Sequence, residues 1–539
     1  MARSQLLQTL QNLAGIHADA FARQVEVAQV RGERALAGPN RRRFLEGVGA
    51  MAGAALLSRP SVARAGAMPQ IIIIGAGISG LNAALTLQDA GVPATIYEAS
   101  YRIGGRMHSD TTTWADAQTS EWCGEFLDSG HVTMRKLAHR FALPIVDTIK
   151  AEPMGSIDTL FVLGQNYPLA DADRDFEPVY ATLRAQIKEA PSTTYNSYTA
   201  FGKQLDALSI YEWIDLYVPG GHTSRFGSLL DTAYNQEFGQ DTRRQSSLNL
   251  VYLLGFQPSA TTKPRKLYLY GISDQRYRIV GGNQSLPQAM AASLPDGAIK
   301  RGCRLTGIEA RPGGDFALRF DSGDDRQIVL ADHVILTLPF SVLRGLDFER
   351  ADFDARKRKA INELGYGANS KLMLQFDARY WNELGSGGSI YTDLKFQNTW
   401  EASSGSPGAS GILVAYTGGR NGRAFNAAQS AYASAATDPA VNVYAKDFLA
   451  ELETVFPGIS AHWNQRAILS TPWRDPNLLG SYSCWLVGQY TGFAGYERVR
   501  QGNCHFAGEH CSLNFQGYME GGADEGARAA REILADLKA

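Results

Sequence analysis

Residues 71–100 read IIIIGAGISGLNAALTLQDAGVPATIYEAS. Four successive isoleucines with no polar residue between them predict a strand buried on both faces, as in a parallel sheet. Gly75-Ala76-Gly77-Ile78-Ser79-Gly80 then makes a turn, Leu81 to Ala90 has helical composition, and Gly91 stops that helix. A second strand, Ala94 to Tyr97, ends on Glu98-Ala99. Strand, glycine turn, helix, strand and terminal acid, in this order, form the βαβ dinucleotide fingerprint. Gly75 allows the tight turn, Gly77 lets the backbone approach a pyrophosphate, and Gly80 permits close packing of helix on strand. Ile78 and Ser79 open the helix, whose free N–H groups and positive dipole end suit phosphate. Glu98 is placed to accept hydrogen bonds from a ribose diol, and its charge disfavours a 2′-phosphate. NAD and FAD both satisfy this stretch.

Working outward, the chain has 539 residues, enough for two or more domains and a large core. With 44% hydrophobic and 20% charged residues and a net charge of −2, nothing in the balance points to nucleic acid as a partner. Five cysteines (123, 303, 484, 504, 511) form neither a CxxC pair nor a disulfide framework, and Cys504 and Cys511 pair only if the fold brings them together. Nine histidines show no ligand spacing such as HExxH, so no metal is predicted.

Upstream of the fingerprint, Arg41-Arg42-Arg43-Phe44-Leu45 precedes the apolar, small-residue run Gly47 to Leu57 and then Ser61-Val62-Ala63-Arg64-Ala65. Paired arginines, a modest apolar region and an A-x-A cut site describe a twin-arginine export signal over residues 1–65. The run is too short and glycine-rich for a membrane anchor. The expected destination is periplasmic or secreted. Such export carries folded, cofactor-loaded proteins, in keeping with the fingerprint. Ser4 to Ala35 has helix-forming composition and no assigned role.

Downstream, Tyr101-Arg102-Ile103-Gly104-Gly105-Arg106 follows the ribose acid, with two glycines for close backbone approach and a cation for phosphate or flavin oxygens. Residues 71–106 together resemble the flavin-containing amine oxidase family, which includes monoamine, polyamine and L-amino-acid oxidases. The resemblance implies an α/β, two-domain FAD-dependent oxidoreductase with a Rossmann-like FAD domain and a mixed-sheet substrate domain bearing a helical insertion. On this reading the FAD domain comprises 68–130, 272–345 and 465–539, and the substrate domain 131–271 and 346–464. Helices are expected at Met134–Phe141, Asp175–Ala190, Leu205–Tyr217 and Leu286–Leu294, and one strand pattern runs Ile299–Ile308.

Further segments carry the same resemblance. Glu121-Trp122-Cys123-Gly124-Glu125-Phe126 resembles the segment beside the flavin, and Phe126 stands where several amino-acid oxidases place a carboxylate-gripping arginine. Leu305 matches the position whose backbone holds the adenine end. Lys371 lies in an apolar strand pattern, which by itself suggests an edge-strand lysine reaching solvent. In relatives, a strand lysine here, followed by an aromatic-Trp pair (Tyr380-Trp381), holds a water against flavin N5 and assists proton transfer. Trp400 falls at a substrate-pocket aromatic.

Phe506-Ala507-Gly508-Glu509-His510 and Phe515-Gln516-Gly517-Tyr518-Met519-Glu520-Gly521-Gly522 resemble the family's closing FAD motif. There Gly508 passes the ribityl chain, Glu509 accepts from ribityl or pyrophosphate-proximal groups, and Gly517 onward starts a helix aimed at the flavin ring. Tyr482 and Tyr518 match the aromatic pair that sandwiches the substrate amine, with Gly517 beside them. Ser481 stands where covalent relatives have cysteine, so FAD is expected to be non-covalent.

The resemblance thus implies oxidation of CH–NH₂ by FAD with O₂ as acceptor, through hydride transfer and imine hydrolysis. L-amino acids are the expected substrates, giving 2-oxo acids, ammonia and H₂O₂. The alternatives are primary amines giving aldehydes and, remotely, a non-catalytic binding protein of the same fold. Homodimers are common in the family.

Overall fold

The computed structural model describes residues 68–256, 267–270, 273–323 and 325–538. The twin-arginine region and the Ser4–Ala35 stretch lie outside the described residues.

The four isoleucines form the strand Ile71–Ile74, each at most 2% exposed, at the centre of a five-stranded parallel sheet. The order is Cys504–Phe506, His333–Leu336, Ile71–Ile74, Thr95–Glu98, Ile299–Arg301. Apolar surface on both faces is what such a strand needs, because helices cover both sides of a parallel sheet. Helix Ile78–Asp89 follows the glycine turn and packs against the C-terminal helix Met519–Asp536. Gly75 takes φ +105°, and a Cβ on Gly80 would stand 1.9 Å from the Gly75 carbonyl oxygen, so the turn closes only with glycine at 80.

The strand expected over Ile299–Ile308 is two strands. Ile299–Arg301 joins the parallel sheet, Gly302 turns with φ +71°, and Arg304–Ala310 begins an antiparallel three-stranded sheet. Similarly, the helix expected over Leu205–Tyr217 is divided into Ala200–Ala207 and Ile210–Tyr217. Ser209 caps the second: its hydroxyl accepts from Glu212 N–H, and the Glu212 carboxylate accepts from Ser209 N–H.

A mixed eight-stranded sheet forms the other half, in the order Tyr432–Ser434, Trp463–Ser470, Ser370–Phe376, Gly411–Thr417, Asn398–Glu401, Ser386–Thr392, Ile157–Val162, Gln165–Asn166. The Lys371 strand is interior, flanked by antiparallel partners on both sides, and all seven of its residues are buried. The edge-strand expectation therefore fails: what makes this strand central are partners supplied by distant segments.

Helix Val132–Arg140 sends Met134, Leu137 and Ala138 into the same core as Ile71, Ile73 and Leu81, and Ile145–Asp147 pairs with Tyr277–Ile279. Residues 132–147 therefore pack with the dinucleotide half. Trp463–Ser470 belongs to the eight-stranded sheet. All five cysteines are free, so Cys504 and Cys511 do not pair. No described helix is long and apolar enough to cross a membrane.

Candidate active site

The cradle for the dinucleotide is built at the C-terminal end of the central strand. Helix Ile78–Asp89 has Gly77 as its N-cap and no side chain capping it, so its first N–H groups are free for a ligand. The Ser79 hydroxyl is buried beside them without a hydrogen-bond partner. Gly77 makes a backbone bridge to Gly104, which brings the Gly104-Gly105-Arg106 turn against the fingerprint. Glu98 accepts from the Ala76 N–H at 2.7 Å and from the Ser100 N–H, across Ala99, at 2.8 Å. One lone pair remains on each oxygen for a diol. Burial raises the Glu98 pKa and these two N–H groups oppose the rise. Leu305 is buried at a bulge in Arg304–Ala310, which packs along the Glu98 strand. An orphaned hydroxyl, an uncapped helix and a ribose acid fit the ADP half of FAD.

Arg106 and Glu509 join the two ends of the chain. Arg106 Nη1 donates to Glu509 Oε1 at 2.8 Å and to the Ser481 carbonyl at 3.0 Å. Glu509 Oε1 also accepts from Ser483 N–H, and its Oε2 accepts from Ser483 Oγ and Gly517 N–H, all within 3.1 Å. Each oxygen thus has two protein donors. Gly508, at φ +127°, lets the chain turn into this knot. Burial pushes the Glu509 pKa up, but the Arg106 charge and the other donors outweigh it and hold the carboxyl below its usual value.

Lys371 is 5% exposed, and its Nζ donates to the Glu121 carbonyl at 3.1 Å, the Cys123 carbonyl at 2.8 Å and Glu125 Oε2 at 2.8 Å. An ammonium has three protons, and all three are taken. Glu125 continues the chain of contacts: its Oε1 accepts from Trp400 Nε1 at 3.1 Å and lies 3.8 Å from Arg278 Nη1. Tyr380 and Trp381 serve packing and structure; Trp381 is fully buried and donates to Glu401.

The residues expected to face the substrate meet in one aromatic array. Phe126 packs edge-on against Trp400 with centroids 5.6 Å apart, and Trp400 against Tyr416 at 5.2 Å. The Tyr416 and Tyr482 hydroxyls are 3.1 Å apart. Gly517 lies against the Tyr482 ring, where an added Cβ would be 3.3 Å from Cδ2. Met519 opens the C-terminal helix and packs on Gly124. Tyr482 donates to the Glu237 carbonyl, and the Tyr518 hydroxyl lies 3.5 Å from Glu237 Oε1.

Tyr416, Glu125 and Glu237 are the site residues that sequence reasoning missed. Glu237 ends helix Arg225–Phe238, where the Gly239 αL cap turns the chain. Burial pushes its carboxyl up to about 8. Burial also raises Tyr482 and Tyr518 well above the usual phenol value, so both stay neutral.

The arrangement has counterparts among known proteins. Residues 78–534 match the family described as flavin containing amine oxidoreductase. Polyamine oxidase 1 of Zea mays is 25% identical over 509 residues, covering 90% of this chain and 95% of its own. The L-amino-acid oxidase of Mus musculus is 25% identical over 485 residues, covering 86% of this chain and 70% of its own. The structure of cyclohexylamine oxidase from Brevibacterium oxydans IH-35A superposes with a TM-score of 0.73 at 20% identity, covering 88% of this chain and all of the other. This chain belongs to the flavin-containing amine oxidoreductase family.

Proposed function

We propose that this protein is an FAD-dependent oxidase of primary amines that carry no carboxylate on the reacting carbon. The observation that supports this most is the Glu237 carboxyl, whose Oε1 lies 3.5 Å from the Tyr518 hydroxyl while the Glu237 backbone carbonyl accepts from Tyr482, which in turn reaches Tyr416. Electron-rich rings and an acid favour an ammonium group. A carboxyl with a pKa near 8 is matched to take the proton that an arriving ammonium must lose. When bound, FAD supplies the acceptor for the hydride leaving the carbon that bears nitrogen and passes the electrons to O₂. Tyr482 and Tyr518 orient the neutral amine, and Phe126 and Trp400 exclude water from its far side. Lys371 acts as a positioning residue, fixing segment 121–125 and, through Glu125, the Trp400 indole.

L-amino acids are the second reading, supported by the likeness to the Mus musculus enzyme and by one chemical feature: a protonated Glu237 can donate to a carboxylate. A panel of tyramine, putrescine and L-amino acids, read out as peroxide, separates the two. The proposal expects peroxide from the amines, and peroxide from L-amino acids alone would reject it.

FAD is proposed to be non-covalent. Ser481 occupies the tethering position, and Cys484 is buried with its thiol pushed up to about 12. Acid precipitation should release all the flavin. Export through the twin-arginine route is likewise a proposal resting on residues 41–65. Replacing Arg41, Arg42 and Arg43 with lysine should leave the protein in the cytoplasm.

A further inference from the structure

A cluster on the other side of the dinucleotide half takes no part in the amine site. His333 opens the strand His333–Leu336, His505 lies in the neighbouring strand Cys504–Phe506, and Asp536 ends the C-terminal helix. One ring nitrogen from each histidine and a carboxylate oxygen of Asp536 all lie within 4.8 Å of one another. His333 is 7% exposed and His505 is fully buried. His333 Nδ1 and His505 Nε2 are both buried without a hydrogen-bond partner. Two orphaned imidazole nitrogens in one buried cluster are costly unless something binds them.

The partner of the other His505 nitrogen says what that something is. His505 Nδ1 lies 2.8 Å from Glu532 Oε2, and Glu532 is itself held by Arg528. A carboxylate on Nδ1 keeps the proton there and leaves the Nε2 lone pair free, the carboxylate–histidine arrangement that orients metal ligands. Two imidazoles and one carboxylate suit a borderline divalent transition ion and not magnesium or calcium. Arg500 Nη1 holds Asp536 Oδ2 at 2.5 Å, and its side chain is 41% exposed, free to swing away as the ion arrives.

We propose that His333, His505 and Asp536 bind one Zn²⁺-type ion, with water in the fourth position. The ion clips the end of the C-terminal helix to two strands of the parallel sheet. Its effect falls on stability, because none of the three ligands belongs to the amine cage. The sequence hid the site: its ligands come from two strands and a helix end far apart in the chain, so no spacing motif exists.

The test uses the full flavin-loaded protein, stripped with chelator and titrated with zinc by calorimetry, with cobalt as a second probe. The expected result is one equivalent per chain, a melting temperature that rises by several degrees with zinc, and cobalt d–d bands at wavelengths beyond the flavin absorption. Glu532→Gln should weaken binding about 10- to 100-fold. His505→Gln should abolish it, with flavin content and turnover unchanged in the absence of metal. Asp536→Asn, near the chain end and away from the core, serves if the histidine variant folds poorly, and should lose the cobalt spectrum. Failure of the wild type to take up zinc stoichiometrically would overturn the proposal. Unaltered affinity in both His505→Gln and Asp536→Asn would also overturn it, by placing the metal elsewhere.

Discussion

The ammonium of Lys371 sits 2.8 Å from the carboxylate of Glu125, with both side chains almost wholly removed from water. Two further carbonyls, from Glu121 and Cys123, complete the lysine's bonding. The pair joins the interior of the eight-stranded sheet to the segment that carries Phe126. Desolvated pairs of this kind add little net stability, but breaking one leaves a buried charge alone, at about 3–5 kcal/mol.

Lys371→Met should therefore lower the unfolding free energy by about 3 kcal/mol or more. The double variant Lys371→Met/Glu125→Gln should recover much of that loss without restoring full turnover. Denaturant titration of the four members of the cycle checks both. Additive losses would mean that the two residues do not act as a pair.

Glu237 should make the site pH-dependent. Its folded pKa of about 8 is raised from 4.5, so the folded protein holds a proton that the unfolded chain has released between those values. Its contribution to stability is fully present below the unfolded value, declines as the pH rises from 4.5, and is lost above about 8. Activity should move the opposite way: kcat/KM for an amine should rise with pH through this range as Glu237 becomes able to accept a proton. Glu237→Gln should remove that limb of the profile and lower kcat/KM about 10- to 100-fold, the scale of a lost hydrogen bond to a charged group. An unchanged profile would show that Glu237 does not titrate at the site.

The Arg106–Glu509 knot has the reverse sign. Its carboxyl is held below the ordinary 4.5, so the stability it supplies is complete above that value and is lost as pH falls through the lower, folded pKa. Glu509→Gln should release flavin more readily and flatten the acid limb of the stability curve. Flavin fluorescence followed during acid titration reads both.

At Ser209 the expectation is purely structural. Its capping box with Glu212 starts a new helix within Leu205–Tyr217, where one continuous helix is expected from sequence. Ser209→Ala should cost about 1 kcal/mol, measured by chemical denaturation, with little change in KM.

These residues also show what a linear reading captures. The strand, turn and helix of residues 71–98 were legible because each piece is local: a run of isoleucines, glycines at fixed offsets, an acid at the next strand's end. Tyr482, Tyr518, Trp400 and Phe126 were reached through resemblance, and the fold brings them into one array. For Lys371, an edge strand and an interior strand look alike in sequence until their neighbours are known, and these neighbours are Gly411–Thr417 and Trp463–Ser470. Glu237 gave no signal because an acid near a helix end is normally solvated. Its contacts with Tyr482 and Tyr518 come from segments more than 200 residues away.

On the proposed function, an amine bound beside Glu237 is oxidised by the flavin. The most direct test mixes the flavin-loaded protein anaerobically with tyramine or putrescine and, separately, with L-amino acids, following flavin absorbance. Rapid bleaching by the amines, greatly slowed in Glu237→Gln, is the predicted result. Bleaching by L-amino acids alone, or by amines at the same rate in Glu237→Gln, would contradict it.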